Sequence, residues 1–255
     1  MYDLPENKKA VRHMCNERKN IKGIIFDKDG TLFDFHKSWA NWVIRIIKIL
    51  SDVNGKKQED LADALGFNMK KKCFYRHSHF IAGTLEETAA KLVEVIPNET
   101  KFNLQKFLVT EATNQPQFPV AGLKETLTKL KNKSLRLGVV TNDAENAAVL
   151  HLKTANIYNY FDFVIGYDSG YGSKPDAGQI VKFCQEMKFE PHEVMMVGDS
   201  SYDLIAGQKA GVIPIGVLTG IATANELRPL TPHLLESIVA IPNWLDTKPT
   251  SNVEN

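Results

Sequence analysis

Two aspartates, Asp27 and Asp29, follow directly on a short apolar run at residues 24–26 and precede Gly30. On a buried strand, residues two apart point the same way, and Gly30 permits a sharp turn, so both carboxylates can face one crevice. Open parallel sheets bind their ligands at the carboxyl ends of strands. Because burying two acids is unfavourable without a cation or a proton, the pattern predicts a divalent metal site. A solvated turn would explain Asp and Gly equally well if this motif stood alone.

A second acidic pair follows another apolar run, at residues 194–197. Asp199 comes just after the run, and Asp203 lies four residues further on, where a helix is predicted to begin. Either acid taken alone could simply cap that helix. Two carboxylates delivered at the ends of two parallel strands could instead meet over one metal ion.

Two more polar elements end predicted strands or precede predicted helices. Thr141 and Asn142 follow the run at residues 138–140, and Lys174 precedes Pro175. A hydroxyl, an amide and backbone N–H groups suit a phosphoryl oxygen, and a lysine ammonium could reach toward the strand ends. Ordinary helix capping and a surface lysine are the alternatives for each element alone. The occurrence of all four elements at strand ends favours one joint site.

The elements that must position these residues alternate between strands and helices in the second half of the chain. This alternation is typical of a parallel sheet covered by helices. Strands are predicted at residues 21–26, 135–141, 161–166, 194–197 and 213–217, with a last short one at 238–241. Helices are predicted between them at residues 122–132, 145–156, 176–188 and 202–210.

Residues 36–118 instead show helical periodicity throughout, with no convincing strand. Helices are predicted there around Trp39–Leu50 and at residues 58–65, 85–96 and 104–113. About 80 residues of helix therefore separate the first strand from the rest of the sheet. We predict a core domain at residues 21–35 and 119–245, a helical cap domain at 36–118, and tails at 1–20 and 246–255.

Taken together, these motifs resemble those of the haloacid dehalogenase-like hydrolase superfamily, and specifically of its phosphatases related to phosphoglycolate phosphatase. The resemblance covers roughly residues 21–245 and depends on Asp27-Lys28-Asp29-Gly30-Thr31, Thr141-Asn142, Lys174-Pro175 and Gly198-Asp199-Ser200-Ser201-Tyr202-Asp203. It implies an α/β fold, a Rossmann-like parallel sheet flanked by helices, with an α-helical cap domain inserted after the first strand. That fold agrees with the independent reading of the periodicity.

The resemblance also implies a role for each matching residue. Asp27 resembles the nucleophile that forms an aspartyl phosphate, and Asp29 resembles the general acid and base. Mg²⁺ would be bound by the carboxylates of Asp27 and Asp199 and by the backbone carbonyl of Asp29. Asp203 would lie behind these ligands and orient a metal-bound water or Lys174.

Three residues would contact the transferring phosphoryl group. Thr141, the amide of Asn142 and Lys174 would bind its oxygens and offset charge in the transition state.

Position 29 separates related reactions of the superfamily. Ion pumps resemble this chain at Asp-Lys but carry Thr where Asp29 stands, and dehalogenases likewise lack the second acid, so both activities are disfavoured. Sugar phosphomutases keep both acids, which leaves an intramolecular phosphotransferase as an alternative. A non-catalytic binding module on the same fold is a second alternative.

The substrate is predicted only as a small phosphorylated metabolite. Phosphoglycolate leads because of the resemblance, and other small phosphorylated acids or sugars remain open. Arg76, in the polar stretch at residues 75–80, is the predicted binding residue for a substrate carboxylate.

Composition limits the partners and the location. Lys and Arg number 31 against 30 Asp and Glu, so no basic surplus favours nucleic acid. The apolar stretch at residues 39–50 is too short to span a membrane and is interrupted by Arg45 and Lys48. The chain has three scattered cysteines and residues 1–20 do not read as a secretory signal, so a cytoplasmic location is expected. Monomer and homodimer are equally compatible with the sequence.

Overall fold

In the computed structural model, six parallel strands form a central sheet, and Asp27 follows directly on one of its two middle strands. The structure describes residues 18, 20–76 and 78–247. The strands are β1 (Gly23–Phe26), β2 (Arg136–Val140), β3 (Phe163–Ile165), β4 (Val194–Gly198), β5 (Ile213–Val217) and β6 (Leu234–Leu235). Their spatial order is β3-β2-β1-β4-β5-β6. The predicted α/β fold class is confirmed.

The register of β1 brings three predicted site loops to one edge of the sheet. Phe26 pairs with Val139 on β2 and with Val197 on β4. The chain therefore leaves β1, β2 and β4 at nearly the same level. From β1 the chain adds β2 and β3 on one side and then β4, β5 and β6 on the other, so the strand order reverses at β1. Open α/β sheets usually bind their ligands at such a point.

Helices cover both faces of this sheet. They are α6 (Leu123–Asn132), α7 (Glu145–Thr154), α8 (Gly178–Met187), α9 (Ser201–Ala210), α10 (Ala224–Leu227) and α11 (Ile241–Asp246), and five more, α1 to α5, precede them in the chain. Ile24 and Phe26 pack on the face that α6 and α11 cover, whereas Ile25 packs against α8 and α9. This alternation of side chains, buried on both faces, explains why β1 is apolar at every position.

The first five helices, between β1 and α6, form a second hydrophobic core of their own. They are α1 (Phe35–Asn54), α2 (Gln58–Ala64), α3 (His79–Ala82), α4 (Leu85–Val95) and α5 (Lys101–Thr113), and we call residues 35–113 the helical insert. Asp34 caps α1 by accepting from the backbone N–H of Lys37, and Gly55 ends it with a φ of 64°. Trp42 is fully buried and stacks on Phe80, which joins α1 to α3.

The expectation that the insert contains no strand was wrong. Phe67–Asn68 and Cys73–Phe74 form a short antiparallel hairpin. Gly66, just before the first strand, and Lys72, just before the second, adopt positive φ values, and Phe67 packs edge-on against Phe74. Two residues per strand are too few for a period-two pattern to be visible in the sequence.

The strand predicted at residues 238–241 was also wrong. Ile238–Ala240 forms a 3₁₀ turn that runs into α11, and the last strand is β6, a few residues earlier. Ile238 and Ile241 are both buried, and their spacing of three residues suits a helix. Pro242 at the start of α11 cannot donate a sheet hydrogen bond.

Helix boundaries moved by a few residues. Helix α8 begins at Gly178 rather than at Asp176, because the backbone N–H of Asp176 closes a turn onto the carbonyl of Ser173. Helix α5 begins three residues early, at Lys101, since Thr100 caps it through the N–H of Asn103.

The predicted tails lie almost entirely outside the described residues, as does Cys15. Arg18 is described, and its guanidinium stacks on Trp244 at 4.2 Å from the ring centroid. Cys73 and Cys184 are free thiols. Within the described ranges, every helix is too short or too polar to cross a membrane.

Candidate active site

Three aspartates converge at the carboxyl edge of the sheet. Asp27 follows β1, Asp199 follows β4, and Asp203 lies in the first turn of α9. One carboxylate oxygen from each lies within 4.8 Å of the others, and all three side chains are buried. We call these residues the acid cluster.

Lys174 lies inside the acid cluster. Its Nζ donates to Asp27 Oδ1 at 2.5 Å, to Asp203 Oδ1 at 2.6 Å and to the carbonyl oxygen of Val140 at 3.2 Å. An ammonium has three N–H donors, so these acceptors satisfy it completely. Burial alone would lower the pKa of Lys174, but the carboxylates of Asp203 and Asp27 outweigh it and hold the pKa above its usual value.

One lysine does not neutralise three buried acids. Burial, opposed by Lys174 and reinforced by Asp203 and Asp29, raises the pKa of Asp27 from 3.8 to about 7. Burial and the charge of Asp27 likewise raise the pKa of Asp199 well above its ordinary value. With Lys174 paired, the ionised cluster retains two negative charges, and its donors are all carboxylate oxygens. This donor set fits Mg²⁺, a hard cation that binds oxygen ligands.

Two glycines make room for the carboxylate of Asp199. Thr31 donates its hydroxyl to Asp199 Oδ1 at 3.1 Å. A Cβ at position 30 or 220 would collide with this carboxylate, so Gly30 and Gly220 are required for the acid to fit. Gly30 also has a φ of 90°, which L side chains rarely adopt.

Asp203 has both carboxylate oxygens engaged. Its Oδ1 accepts from Lys174, while its Oδ2 accepts from the backbone N–H of Ser200 at 3.0 Å and from the Ser200 hydroxyl at 2.6 Å. Ser200 in turn caps α9. The acid therefore orients Lys174 while it closes the first turn of the helix.

Asn142 frames Lys174 from the backbone side. Its Oδ1 accepts from the Lys174 backbone N–H at 2.9 Å, and its Nδ2 donates to the Lys174 carbonyl at 2.8 Å. The same Nδ2 donates to the carbonyl of Ala82 in the helical insert, also at 2.8 Å. Thr141, one residue earlier, accepts at Oγ1 from the backbone N–H of Asp143. The side chain of Asn142 thus fixes the loop that carries Lys174, which we call the lysine loop, a function that the sequence did not reveal.

Asp29 points away from the acid cluster and toward the insert. Its Oδ1 accepts from Trp39 Nε1 at 2.7 Å, and its Oδ2 pairs with Lys28 Nζ at 2.6 Å. Trp39 belongs to α1 of the insert, whereas Lys28 lies between the two aspartates in sequence. Both oxygens of Asp29 are therefore held by groups that can only donate.

The acid cluster and Asp29 share one pocket with the insert. From the insert, the pocket is lined mainly by apolar side chains, namely Phe35, Trp39, Phe80, Ile81 and Leu85. From the core, it is lined by Asp27, Asp29, Thr141, Asn142, Lys174, Asp199 and Asp203. Seven of the eight predicted site residues therefore lie around a single cavity.

Arg76 is placed differently from the other predicted site residues. It is exposed and lines a neighbouring cleft with His79 and Glu226. Residues 81–83 form a wall that the two cavities share.

Comparison with known proteins agrees with this geometry. A family model described as haloacid dehalogenase-like hydrolase matches residues 24–217. A phosphoglycolate phosphatase of Nitrosospira multiformis is 29% identical over 195 residues, which cover 75% of this chain and 80% of the relative. The pyrophosphatase PpaX of Bacillus velezensis is 28% identical over 228 residues, which cover 86% of this chain and 94% of the relative.

A solved structure has the same fold. It is a predicted phosphoglycolate phosphatase from Haemophilus somnus, with a TM-score of 0.70 at 23% identity. The match covers 88% of this chain and 98% of that one.

Proposed function

Because the chain belongs to the haloacid dehalogenase-like hydrolase family, we propose that it hydrolyses small phosphomonoesters in two steps, through a phosphorylated Asp27. Its relative named phosphoglycolate phosphatase supports a phosphoric monoester hydrolase. The observation that carries the two-step proposal is the ion pair of Asp27 with Lys174 inside the acid cluster. This arrangement presents a nucleophilic carboxylate beside a cation at the ligand-binding edge of the sheet.

In the first step, a carboxylate oxygen of Asp27 attacks phosphorus and the bond from phosphorus to the leaving oxygen breaks. Lys174 holds the carboxylate of Asp27 through Oδ1 and offsets charge on the phosphoryl oxygens. The Thr141 hydroxyl binds one of those oxygens. Asn142 supports the step by fixing the backbone of Lys174.

Mg²⁺ would be held by Asp27 and Asp199, together with the backbone carbonyl of Asp29. When bound, it supplies positive charge for the transferring phosphoryl group and compensates the acid cluster. Asp203 orients Lys174 rather than binding the ion, since both of its oxygens already accept protein hydrogen bonds.

Asp29 acts as the acid and then as the base. It gives a proton to the leaving oxygen in the first step. In the second step it takes a proton from the water that attacks the aspartyl phosphate, which releases inorganic phosphate and restores Asp27. Trp39 and Lys28 hold its carboxylate in the orientation seen in the structure.

The helical insert serves as the cap that covers the leaving group. Phe35, Trp39 and Phe80 place apolar surface over the pocket, and Asn142 bonds directly to the insert at Ala82. A cap in this position excludes water from the first step. The substrate is a small phosphomonoester, with phosphoglycolate as the first candidate because a relative bears that name.

An assay with an aryl phosphate tests the reaction type. We expect the purified chain to release inorganic phosphate with Mg²⁺, to stop on addition of a chelator and to recover when Mg²⁺ is restored. Acid quenching of a single turnover with labelled substrate should trap phosphate on the protein, in a form that hydroxylamine cleaves as it does an acyl phosphate. Full activity in chelator would contradict the metal requirement, and unlabelled protein would contradict the aspartyl phosphate.

Replacing Arg76 tests the substrate class. If Arg76 binds the carboxylate of phosphoglycolate from the neighbouring cleft, Arg76→Ala should lower kcat/KM for phosphoglycolate by about tenfold or more, since a bidentate pair with a carboxylate is lost. The value for an alkyl phosphate that carries no carboxylate should not change. An equal loss on both substrates, or no loss on either, would reject this function of Arg76.

A further inference from the structure

A second charged cluster lies beside Asp29, and one of its members, Asp143, lines the pocket. Lys28 is fully buried, and its Nζ lies 2.6 Å from Asp29 Oδ2, 3.2 Å from Asp143 Oδ2 and 3.2 Å from His151 Nδ1. Two carboxylates and one imidazole nitrogen thus surround the buried ammonium. We call Lys28, Asp143 and His151 the lysine cluster.

His151 connects the lysine cluster to the helical insert. It lies on α7, is buried, and has its Nε2 at 3.1 Å from the carbonyl oxygen of Ala112 near the end of α5. Because a carbonyl only accepts, Nε2 carries the hydrogen and Nδ1 is left to accept from Lys28. Burial and the charge of Lys28 lower the pKa of His151 to about 3, which agrees with a neutral ring.

The insert therefore reaches Asp29 by two routes. Trp39 on α1 donates to Asp29 Oδ1 directly, and Ala112 on α5 reaches Asp29 Oδ2 through His151 and Lys28. Together the two routes fix both oxygens of one carboxylate, and hence its plane.

Stability alone does not account for the lysine cluster. A buried ion pair is weak evidence for stabilisation, because the cost of removing both charges from water offsets much of their attraction. Lys28 lies between Asp27 and Asp29 in the sequence, and its ammonium pairs with Asp29. This pairing instead fixes the direction of the Asp29 carboxylate.

We propose that Lys28, held by Asp143 and His151, is a positioning residue that aims Asp29 at the leaving oxygen. His151 makes that aim depend on where the insert sits. The inference rests on the proposed function, in which Asp29 protonates the leaving group. It assigns no proton transfer to Lys28 or to His151.

The leaving group supplies a readout that a merely structural role would not change. An alkoxide needs a proton as it departs, whereas a nitrophenolate leaves readily without one. Misplacing Asp29 should therefore lower kcat/KM for an alkyl phosphate much more than for p-nitrophenyl phosphate. Damage to the fold would lower both values by the same factor.

The first variant is Lys28→Met/Asp143→Asn, which removes one buried positive and one buried negative charge together. We expect its kcat/KM to fall at least about tenfold further for the alkyl ester than for the aryl ester. Asp29→Asn should show the same selective loss. The matched control is Lys209→Met/Asp176→Asn, which removes an exposed Lys–Asp pair and should leave both values unchanged.

A pair of substitutions at His151 tests the connection without touching a buried charge. His151→Gln keeps an acceptor for Lys28 and a donor for Ala112, so it should retain most of the alkyl activity. His151→Leu keeps neither and should reproduce the selective loss. This pair decides the question if the double variant does not fold.

Equal losses on the two esters, or equal behaviour of the Gln and Leu variants, would overturn the inference while the proposed function stands. Failure of the unaltered chain to hydrolyse either ester would remove the proposed function itself.

Discussion

Asp27→Asn protein is expected to fold normally and to hydrolyse phosphate esters at least about a thousandfold more slowly than the unaltered chain. The amide offers no anionic oxygen to attack phosphorus, so the aspartyl phosphate cannot form. Its shape is nearly that of the carboxylate, and Lys174 keeps its contacts with Asp203 and Val140. Activity is measured with an aryl phosphate in Mg²⁺, and folding by thermal denaturation.

Asp176→Asn is the matched control for this variant. It makes the same chemical change two residues after Lys174, at a side chain that is 76% exposed. The control should keep full activity and the same melting temperature. Turnover by Asp27→Asn at the unaltered rate, or a trapped phosphoenzyme in that variant, would show that another residue is the nucleophile.

The convergence of the acid cluster could be predicted from the sequence because it follows from strand geometry. Apolar runs before Asp27, Thr141 and Asp199 identify three buried strands, and parallel strands end at a common edge. In the structure, β1 is in register with both β2 and β4, so the three strands end at the same level. A loop that leaves a strand at this edge has little freedom to place its first residue elsewhere.

The contacts of Asp29 could not be predicted, because they join residues that are distant in the chain. In the sequence, Trp39 is only one apolar residue of a predicted helix, and His151 lies more than a hundred residues from Lys28. Nothing in helical periodicity tells which buried ring presents its N–H to a carboxylate. One signal was present in the sequence: a lysine between two aspartates at the end of a buried strand has to find a partner in the interior.

The lysine loop could be predicted in part. The sequence predicts an ammonium near the strand ends, and the structure places Lys174 there. The geometry that fixes it comes from Asn142, whose amide binds both backbone groups of the lysine. Asn142 was predicted as a ligand of the phosphoryl group, because an amide next to a strand end looks the same in sequence whichever group it binds.

Ionisation of the acid cluster is expected to favour activity but to lower the stability of the metal-free protein. In the proposed function, Mg²⁺ would support the attack by Asp27 and would also offset the desolvation of Asp199 and its repulsion by Asp27. The metal-free protein should therefore be least stable in the pH range in which its acids are ionised. The proposed reaction needs that same range, because Asp27 attacks as a carboxylate.

Asp199→Asn should lower activity by about a hundredfold or more, since the proposed metal site would lose a carboxylate. The same change should raise the melting temperature of the metal-free protein near neutral pH. The folded-state pKa of Asp199 lies well above its unfolded value because of burial and of Asp27, so ionisation disfavours the folded state. Asn cannot ionise, and it still offers an oxygen to the hydroxyl of Thr31.

The sign of the pH dependence follows from the two raised pKa values. A carboxyl group whose folded pKa is raised favours the folded state at low pH, and this contribution is lost as pH rises from 3.8 toward the folded pKa, about 7 for Asp27. In chelator, the melting temperature of the unaltered chain should therefore fall between about pH 4 and about pH 7, and that of Asp199→Asn should fall less. Mg²⁺ should raise the melting temperature of the unaltered chain at the higher pH and leave that of the variant almost unchanged, because only the folded protein with its full ligand set binds the ion. An equal response to Mg²⁺ in both proteins would mean that the ion binds without Asp199, and the proposed metal site would have to be abandoned.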